Sequence, residues 1–408
     1  MDLQADTTRL LQELIRFNTV NPPGNERPAQ EHLAAILREA GFEVRLLGRT
    51  EERPNLVARL RGHGDGPTLC LLSHVDTVYA TPDDWRHDPW SGDLADGCVW
   101  GRGALDMKSQ TAAEVAAAVE LARGGWRPAG DLLVVAVVDE ETGGAEGAKW
   151  LCEHHADAVR CDYLLNEGGG TVIPYDGDRV YGVCVAEKGV FRFILRTEGV
   201  AGHASIPKIG DNALLKLAPL LQAMLDALGV SGLDELRAKD AVLAMLVEPM
   251  LGVTLAPTMA HASDKINVIP SSAELQVDCR VPPGLGREHA ERRIREVLGD
   301  DGYRLDFIEQ TIGNASPVES RLMDAIRDWL GGHDPEGRIV PTMLPGFTDS
   351  RTFRDAFPDL IAYGFFPQRH MTLYETAPLI HSADERVDVR DLGFAARFFH
   401  DVTRALLS

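Results

Sequence analysis

The chain of 408 residues contains no run of 18 apolar residues, so no segment of it reads as a membrane-spanning helix. Its six cysteines form no C-x-x-C pair. Cys70, Cys184 and Cys279 sit inside strand-like runs, and the set reads as reduced packing residues of a cytoplasmic protein rather than a disulfide framework. No Lys/Arg cluster offsets the formal charge of -21, and an acidic surface repels a phosphate backbone, so nucleic acid is not an expected partner. The opening residues, MDLQADTTRLLQELIRF, lack the basic start and apolar stretch of a signal peptide and read as an amphipathic helix through Leu10, Leu11, Leu14 and Ile15. Neither G-x-S-x-G nor H-E-x-x-H occurs, which leaves serine-hydrolase and single-zinc protease chemistry without support. Gly101-x-Gly103 lacks the third glycine of a dinucleotide fingerprint. No internal repeat or low-complexity segment is present.

What remains is ordinary globular composition, 44% hydrophobic and 25% charged, in a length that suits two or three domains. Up to about residue 186, apolar strand-like runs (Asn55 to Leu60, Thr68 to Leu72, Leu132 to Val138, Asp162 to Leu165) alternate with helical stretches (Ala29 to Ala40, Thr111 to Arg123, Gly147 to His154). That alternation predicts an α/β fold with a mostly parallel sheet and helices on both faces. Leu132 to Val138 shows no polar alternation and belongs near the middle of the sheet. From Glu187 the order becomes strand (Val190 to Thr197), helix (Asp211 to Leu228), two strands (Gly252 to Met259, Ala273 to Val281), helix (Arg287 to Leu298) and strand (Tyr303 to Ile308), a β-α-β-β-α-β ferredoxin-like arrangement. The first pattern resumes after Ile312, so residues 187–310 are expected as an insertion within a domain made of 1–186 and 311–408. Ser231 to Met250 fits neither pattern.

Ligands of open α/β sheets bind beyond the carboxyl ends of the strands, and those positions hold the chemistry. Ser73-His74-Val75-Asp76 follows one run, Asp139-Glu140-Glu141 another and Asn166-Glu167-Gly168 a third; the loop Gly101-Arg102-Gly103-Ala104-Leu105-Asp106 opens a helix, and His381 lies near the C-terminus. With two histidines, at least three carboxylates converge on one rim, where like charges repel and burial penalises each one unless cations neutralise them. Mixed His and carboxylate ligation suits zinc and its borderline neighbours, cobalt among them. Five ligands serve two ions only if one carboxylate bridges, as in co-catalytic pairs about 3.5–4 Å apart.

Taken together, His74-x-Asp76, Gly101-Arg102-Gly103-x-x-Asp106-Met107-Lys108, Asp139-Glu140-Glu141, Asn166-Glu167-Gly168 and His381 resemble the signature set of the aminoacylase, acetylornithine deacetylase, succinyl-diaminopimelate desuccinylase and carboxypeptidase G family of di-zinc amidohydrolases. The resemblance implies two Zn2+ per chain, with His74 and Glu167 on one, Glu141 and His381 on the other, and Asp106 bridging. It implies Glu140 as general base and Asp76 as the carboxylate that orients His74. It further implies that the insertion is a lid and dimerisation domain, from which His203, in Gly202-His203-Ala204-Ser205, reaches the partner's scissile carbonyl. Asn267 and Arg280 match positions that hold the substrate's carbonyl and carboxylate, and Gly346 lies in a loop, Pro345 to Ser350, whose backbone lies against that carboxylate. For Arg280 an ordinary surface ion pair is the competing account, and for His203 a helix-capping role. The expected activity is zinc-dependent hydrolysis of the amide of N-acyl amino acids or short peptides with a free carboxylate, in a cytoplasmic homodimer. A dipeptidase or carboxypeptidase, and a non-catalytic binding protein that kept the metal site, are the alternatives.

Overall fold

The computed structural model describes residues 2–229 and 232–408. Met1, Val230 and Ser231, the last of which begins the stretch left unplaced above, lie outside them. Two compact units emerge: Met1–Val185 with Ser316–Thr342 and Thr348–Ser408, and Ala186–Ala315 with Met343–Phe347. The short return segment 343–347 thus groups with the second unit, where the Lys188 N–H donates to the Leu344 carbonyl.

The first unit is built on a mixed sheet. Four neighbouring strands, Leu132–Val137, Leu69–His74, Tyr163–Asn166 and Ile361–Gly364, are parallel. Every residue of the first two is buried, which matches their unbroken apolar sequences and requires cover on both faces. Antiparallel strands flank this parallel block. On one side Glu43–Leu47 and Asn55–Leu60 form a hairpin, and the second strand runs antiparallel to Leu132–Val137; the connection of residues 48–54 is too short for a crossover helix. On the other side Thr171–Tyr175 returns as Asp178–Glu187 through Asp176-Gly177, both at positive φ (55° and 87°). Asp-Gly with two left-handed residues is a tight hairpin turn, a local signal that the alternation of strands and helices alone does not use.

Helices cover both faces. Leu3–Ile15, Lys108–Arg123 and Val389–Leu406 pack on one another, and the alanine-rich Lys108–Arg123 is buried nearly all round. On the opposite face Leu151, Phe353 and Phe357, from the helices Ala148–His154 and Asp349–Ala356 and the end of the latter, join Leu72, Val135 and Val137 in one core. No helix among the described residues is long and apolar enough to cross a membrane. All six cysteines are free and five are buried.

The second unit has the β-α-β-β-α-β order, with antiparallel strands arranged Thr254–His261, Ser272–Val281, Phe193–Glu198, Arg304–Phe307. Burial along Ser272–Val281 alternates residue by residue, as a strand with one covered face must. Its inward residues Ala273, Leu275, Val277, Cys279 and Val281 meet the helices Leu217–Asp226 and Arg287–Leu298 in a separate core. The first of these helices starts later than the apolar pattern suggests. Val200 and Asp211 exchange backbone hydrogen bonds of 2.7 and 2.9 Å, so the backbone at Asp211 is already paired. Within the unplaced stretch lie two short helices, Asp234–Lys239 and Ala241–Val247.

Candidate metal centre

Parallel register brings the candidate ligands of the first unit together. His74 ends its strand level with Val137, so His74 and the residues just after Val137 emerge at the same edge, and Asn166, level with Gly364, places Glu167 beside them. His74 is 1% exposed. Its Nε2 stands 3.1 Å from Asp106 Oδ1 and 3.7 Å from Glu167 Oε1. On the other side of Asp106, Oδ2 is 3.2 Å from His381 Nε2, which is also 3.2 Å from Glu141 Oε2. One potential ligand atom from each of His74, Asp106 and Glu167 lies within 4.8 Å of the others, and the same holds for Asp106, Glu141 and His381. Asp106 belongs to both groups and turns a different oxygen to each.

The loop that presents Asp106 is held from several directions. Gly103 has φ +87°, and a Cβ there would come 3.0 Å from Lys108 and Thr77 side-chain carbons, so glycine is needed both for the left-handed backbone and for space. The buried Lys108 ammonium donates to the carbonyls of Leu14 and Phe17 at 3.0 and 2.8 Å, tying the loop's helix to the end of the N-terminal helix. The His74 N–H donates to Met107 Sδ.

The three consecutive acids have three different environments. Asp139 takes a left-handed conformation and is spent on structure: its carboxylate accepts from Thr142 Oγ1, Asn21 Nδ2, Arg53 Nη1 and the Glu146 N–H. Glu140 and Glu141 follow in a single 3₁₀ turn, whose N–H groups both donate to the Asp76 carboxylate at 3.2 Å. His74 Nδ1 is 3.0 Å from the Asp76 carbonyl and 3.5 Å from its carboxylate. Asp76 therefore contacts the imidazole mainly through its backbone, while its side chain fixes the turn that carries the two glutamates. Glu141 points into the cluster, and its Oε1 is buried with no hydrogen-bond partner among the described residues.

Charge in this cluster is unbalanced. Burial, then the nearby charge of Glu167, pushes Glu140 well above the usual carboxylate range, and burial with Asp106 does the same to Glu167. Hydrogen bonds to Asp106 and then Glu141 push His381 up to about 10. Burial works against protonating His74, yet hydrogen bonds with Asp106 and Asp76 leave it well above its ordinary value. The field of the carboxylates thus favours positive charge wherever it can be placed. A mixed set of imidazole nitrogens and carboxylate oxygens, one oxygen buried and unpartnered, fits divalent zinc-like cations.

The candidates of the second unit fall in two places. His203 pairs with Val268 in a two-stranded ribbon, and the Ala204 N–H donates to the Asn267 carbonyl, so His203 and Asn267 are neighbours and both are exposed or nearly so. The Ser205 N–H donates to His203 Nδ1 at 3.2 Å, which leaves the ring proton of the neutral imidazole on Nε2. Arg280 lies on the face of its strand away from the helices. Its Nε and Nη2 donate to the two oxygens of Asp278 at 2.6 and 3.2 Å, and its guanidinium stands 5.7 Å from the Phe347 ring centre. Arg280 Nη1 is buried without a hydrogen-bond partner among the described residues. Gly346 adjoins Phe347, with Leu344 carbons 3.8 and 4.0 Å from its Cβ direction.

Two further residues organise the centre and were not read from the sequence. Asn21, buried, has its Nδ2 within hydrogen-bond reach of Asp76, Asp139 and Thr142 (2.9–3.1 Å) and so holds two carboxylates side by side. Glu385 accepts backbone N–H groups of the Asp106 loop. The only sequence hints were the short polar residue of Asn21-Pro22-Pro23-Gly24 and an acid four residues after His381.

Comparison with known proteins agrees with this geometry. The chain is 32% identical over 399 residues to succinyl-diaminopimelate desuccinylase 2 of Ruegeria sp. (strain TM1040), covering 95% of this chain and 92% of that protein. Among solved structures, an M20 family metallo-carboxypeptidase from Sulfolobus solfataricus superposes with a TM-score of 0.73 at 14% identity, covering 98% and 99% of the two chains. A dinuclear metal-binding peptidase of the M20 family from Bacillus subtilis does so with 0.63 at 14% identity, covering 99% and 98%. The sequence pattern of peptidase family M20/M25/M40 matches residues 70–405, so the chain belongs to that family and is a metal-dependent amide hydrolase.

Proposed function

We propose that the protein removes an acyl or aminoacyl group from small substrates that keep a free carboxylate, with desuccinylation of an N-succinyl amino acid the first substrate class to test. The observation that carries this reading is the carboxylate of Asp106 set between His74 and His381, flanked by Glu167 and Glu141. His74, Asp106 and Glu167 would hold one Zn2+, and Asp106, Glu141 and His381 the other, with Co2+ as a substitute. Two such ions supply the positive charge that polarises an amide carbonyl and makes water acidic at neutral pH. Glu140 receives the proton of the attacking water and passes it to the leaving amine nitrogen. Asp76 keeps Glu140 in place through its N–H. His203 donates its Nε2 proton to the oxygen that becomes negative as the carbonyl is attacked.

Asn267 would donate to the substrate carbonyl, and Arg280 would offer its unpartnered Nη1, with the backbone near Gly346, to the substrate carboxylate. Because Asp278 already occupies the other edge of the guanidinium, this is a single-point contact and not a fork. A homodimer through the second unit is supported by exposed Leu214, Leu215, Leu225, Met259 and Ile266 and by the edge position of Thr254–His261. A hollow of 810 Å³ bordered by Leu214, Leu215, Ile266 and Val268 lies in the same unit. The substrate side is tested by incubating the zinc-loaded enzyme with N-succinyl, N-acetyl and dipeptide substrates and with their C-terminal amides, reading released amine by chromatography. Turnover of the amides as fast as the acids would refute the carboxylate requirement. The metal side is tested by Asp106→Ala, which should lose both ions; an Asp106→Ala protein that still holds two would refute the shared ligand.

A further inference from the structure

Glu385 is fully buried and sits on the segment that leaves His381. The next residue, Arg386, pairs with Trp100 in an antiparallel ladder, and the Gly101 N–H donates to the Glu385 carbonyl at 3.0 Å. Its side chain then reaches along the loop that ends in Asp106. Oε1 accepts from the N–H groups of Leu105 and Asp106 at 2.6 and 3.0 Å. Oε2 accepts from the N–H of Gly103 at 3.2 Å and from Arg102 Nη1 at 2.6 Å. Four donors converge on two oxygens, and only an ionised carboxylate can accept all four. An amide in the same place would turn its NH2 toward two of them.

We propose that Glu385 is the positioning residue of the shared ligand: by fixing the backbone at Leu105 and Asp106 it holds the Asp106 carboxylate where each oxygen faces a different histidine, and so sets the affinity of the second ion. The inference rests on the two-ion reading above. Glu385 touches neither substrate nor ligand atoms and acts through Asp106. The separation of the two groups depends on that carboxylate's orientation, since Oδ1 is 3.1 Å from His74 and Oδ2 3.2 Å from His381; a small rotation of the loop detaches one side. Residues that orient ligands in this way typically weaken metal binding about 10 to 100-fold when replaced.

The experiment is a zinc titration of metal-free protein against a chromogenic chelator, with the visible spectrum of the Co2+-loaded forms, for wild type, Glu385→Gln, Glu385→Asp and Arg102→Lys. Wild type should bind two ions. Glu385→Gln should bind one with near-native affinity and the second about 10 to 100-fold more weakly, with a changed cobalt spectrum. Glu385→Asp, which keeps the charge and shortens the reach, should lie between and serves if the glutamine variant does not fold. Arg102→Lys, which loosens the buried pair but leaves the three N–H contacts, should keep both ions within about threefold while melting earlier, since Arg102 balances the buried charge of Glu385 and does not itself hold the backbone at Leu105 and Asp106. Wild-type affinity for both ions in the glutamine or aspartate variant overturns the proposal, and so does an Arg102→Lys protein that loses the second ion as fully as Glu385→Gln. A wild-type protein that binds fewer than two ions overturns the parent reading, and the wild-type titration alone reveals it.

Discussion

Glu140 and Glu141 share one turn and one anchoring carboxylate, Asp76, yet only Glu141 is in the ligand cluster. Replacing Glu140 by glutamine should therefore leave metal content unchanged while lowering turnover roughly 10² to 10⁴-fold, the scale of a lost general base. Activity within tenfold of wild type at full metal loading would exclude Glu140 from that role. A second buried acid stands outside the ligand cluster. Glu114 lies wholly inside the first unit and accepts from Gln110 Nε2 at 2.8 Å; burial pushes it up to about 8, against the opposing hydrogen bonds of Gln110 and Ser73. The unfolded chain releases that proton above about 4.5 and the folded chain near 8, so Glu114 costs the fold stability progressively as pH rises through that window. Glu114→Gln should melt near wild type at pH 5 and above it at pH 8, measured on metal-free protein. An equal difference at both pH values would contradict the buried protonated acid. His74, Glu140, Glu141 and Glu167 were legible because they stand right after apolar runs, Asp106 because it ends a glycine-flanked loop that opens a helix, and His381 as a histidine near the C-terminus that completes the motif set. Asn21 and Glu385 were not, since each is identified only by partners 55 to 283 positions away.

Elements decide how closely the ligands can approach. Gly364 lies beside Asn166 in the parallel pair, and a Cβ on it would stand 1.9 Å from the Glu167 carbonyl oxygen. Gly364→Ala must push the two strands apart, at about 1–3 kcal/mol for an overfilled core, and must move Glu167 with them. A lower melting temperature together with weakened binding of one ion is expected, and native values of both would show that the strands yield without moving the site. Gly331, within the helix Arg321–His333, has nothing among the described residues within 4 Å of its Cβ direction, and the same substitution there should stabilise by about 0.4–1 kcal/mol. Strand existence was readable from apolar runs, and Leu132 to Val138 was placed in the interior for the right reason. Strand direction was only partly readable. The antiparallel flanks follow from short connections and from the Asp176-Gly177 turn, which apolar periodicity does not report.

At the scale of the whole molecule the question is whether one chain suffices. On the proposed reading each chain's Glu140 serves its own centre, whereas His203 serves its partner's. Glu140→Ala and His203→Ala should each be nearly inactive, since losing a base or an oxyanion donor costs several kcal/mol of barrier, roughly 2.7–4 for a single donor. A dimer with one chain of each kind retains one intact site, because the His203→Ala chain keeps Glu140 and borrows His203 from its partner. Doubly tagged hybrids should recover about half of the wild-type activity per dimer. Hybrids as inactive as both parents, while dimeric and metal-loaded, would show that His203 does not act across the interface.

The sequence by itself determined the chemical inventory: an acidic chain with histidines and carboxylates at strand ends, an α/β pattern, and a β-α-β-β-α-β segment inside it. These depend on residue type and local periodicity, which survive without coordinates. The tertiary structure decided which oxygen of Asp106 faces which histidine, that Asp139 is structural while Glu141 joins the cluster, that Arg280 is already paired with Asp278, and that Glu385 holds the Asp106 loop. Apart from the Arg280–Asp278 pair, whose partners stand two residues apart on one strand, each of those is a matter of a few ångströms between segments far apart in the chain, fixed by strand register and side-chain packing, which no short stretch of residues records.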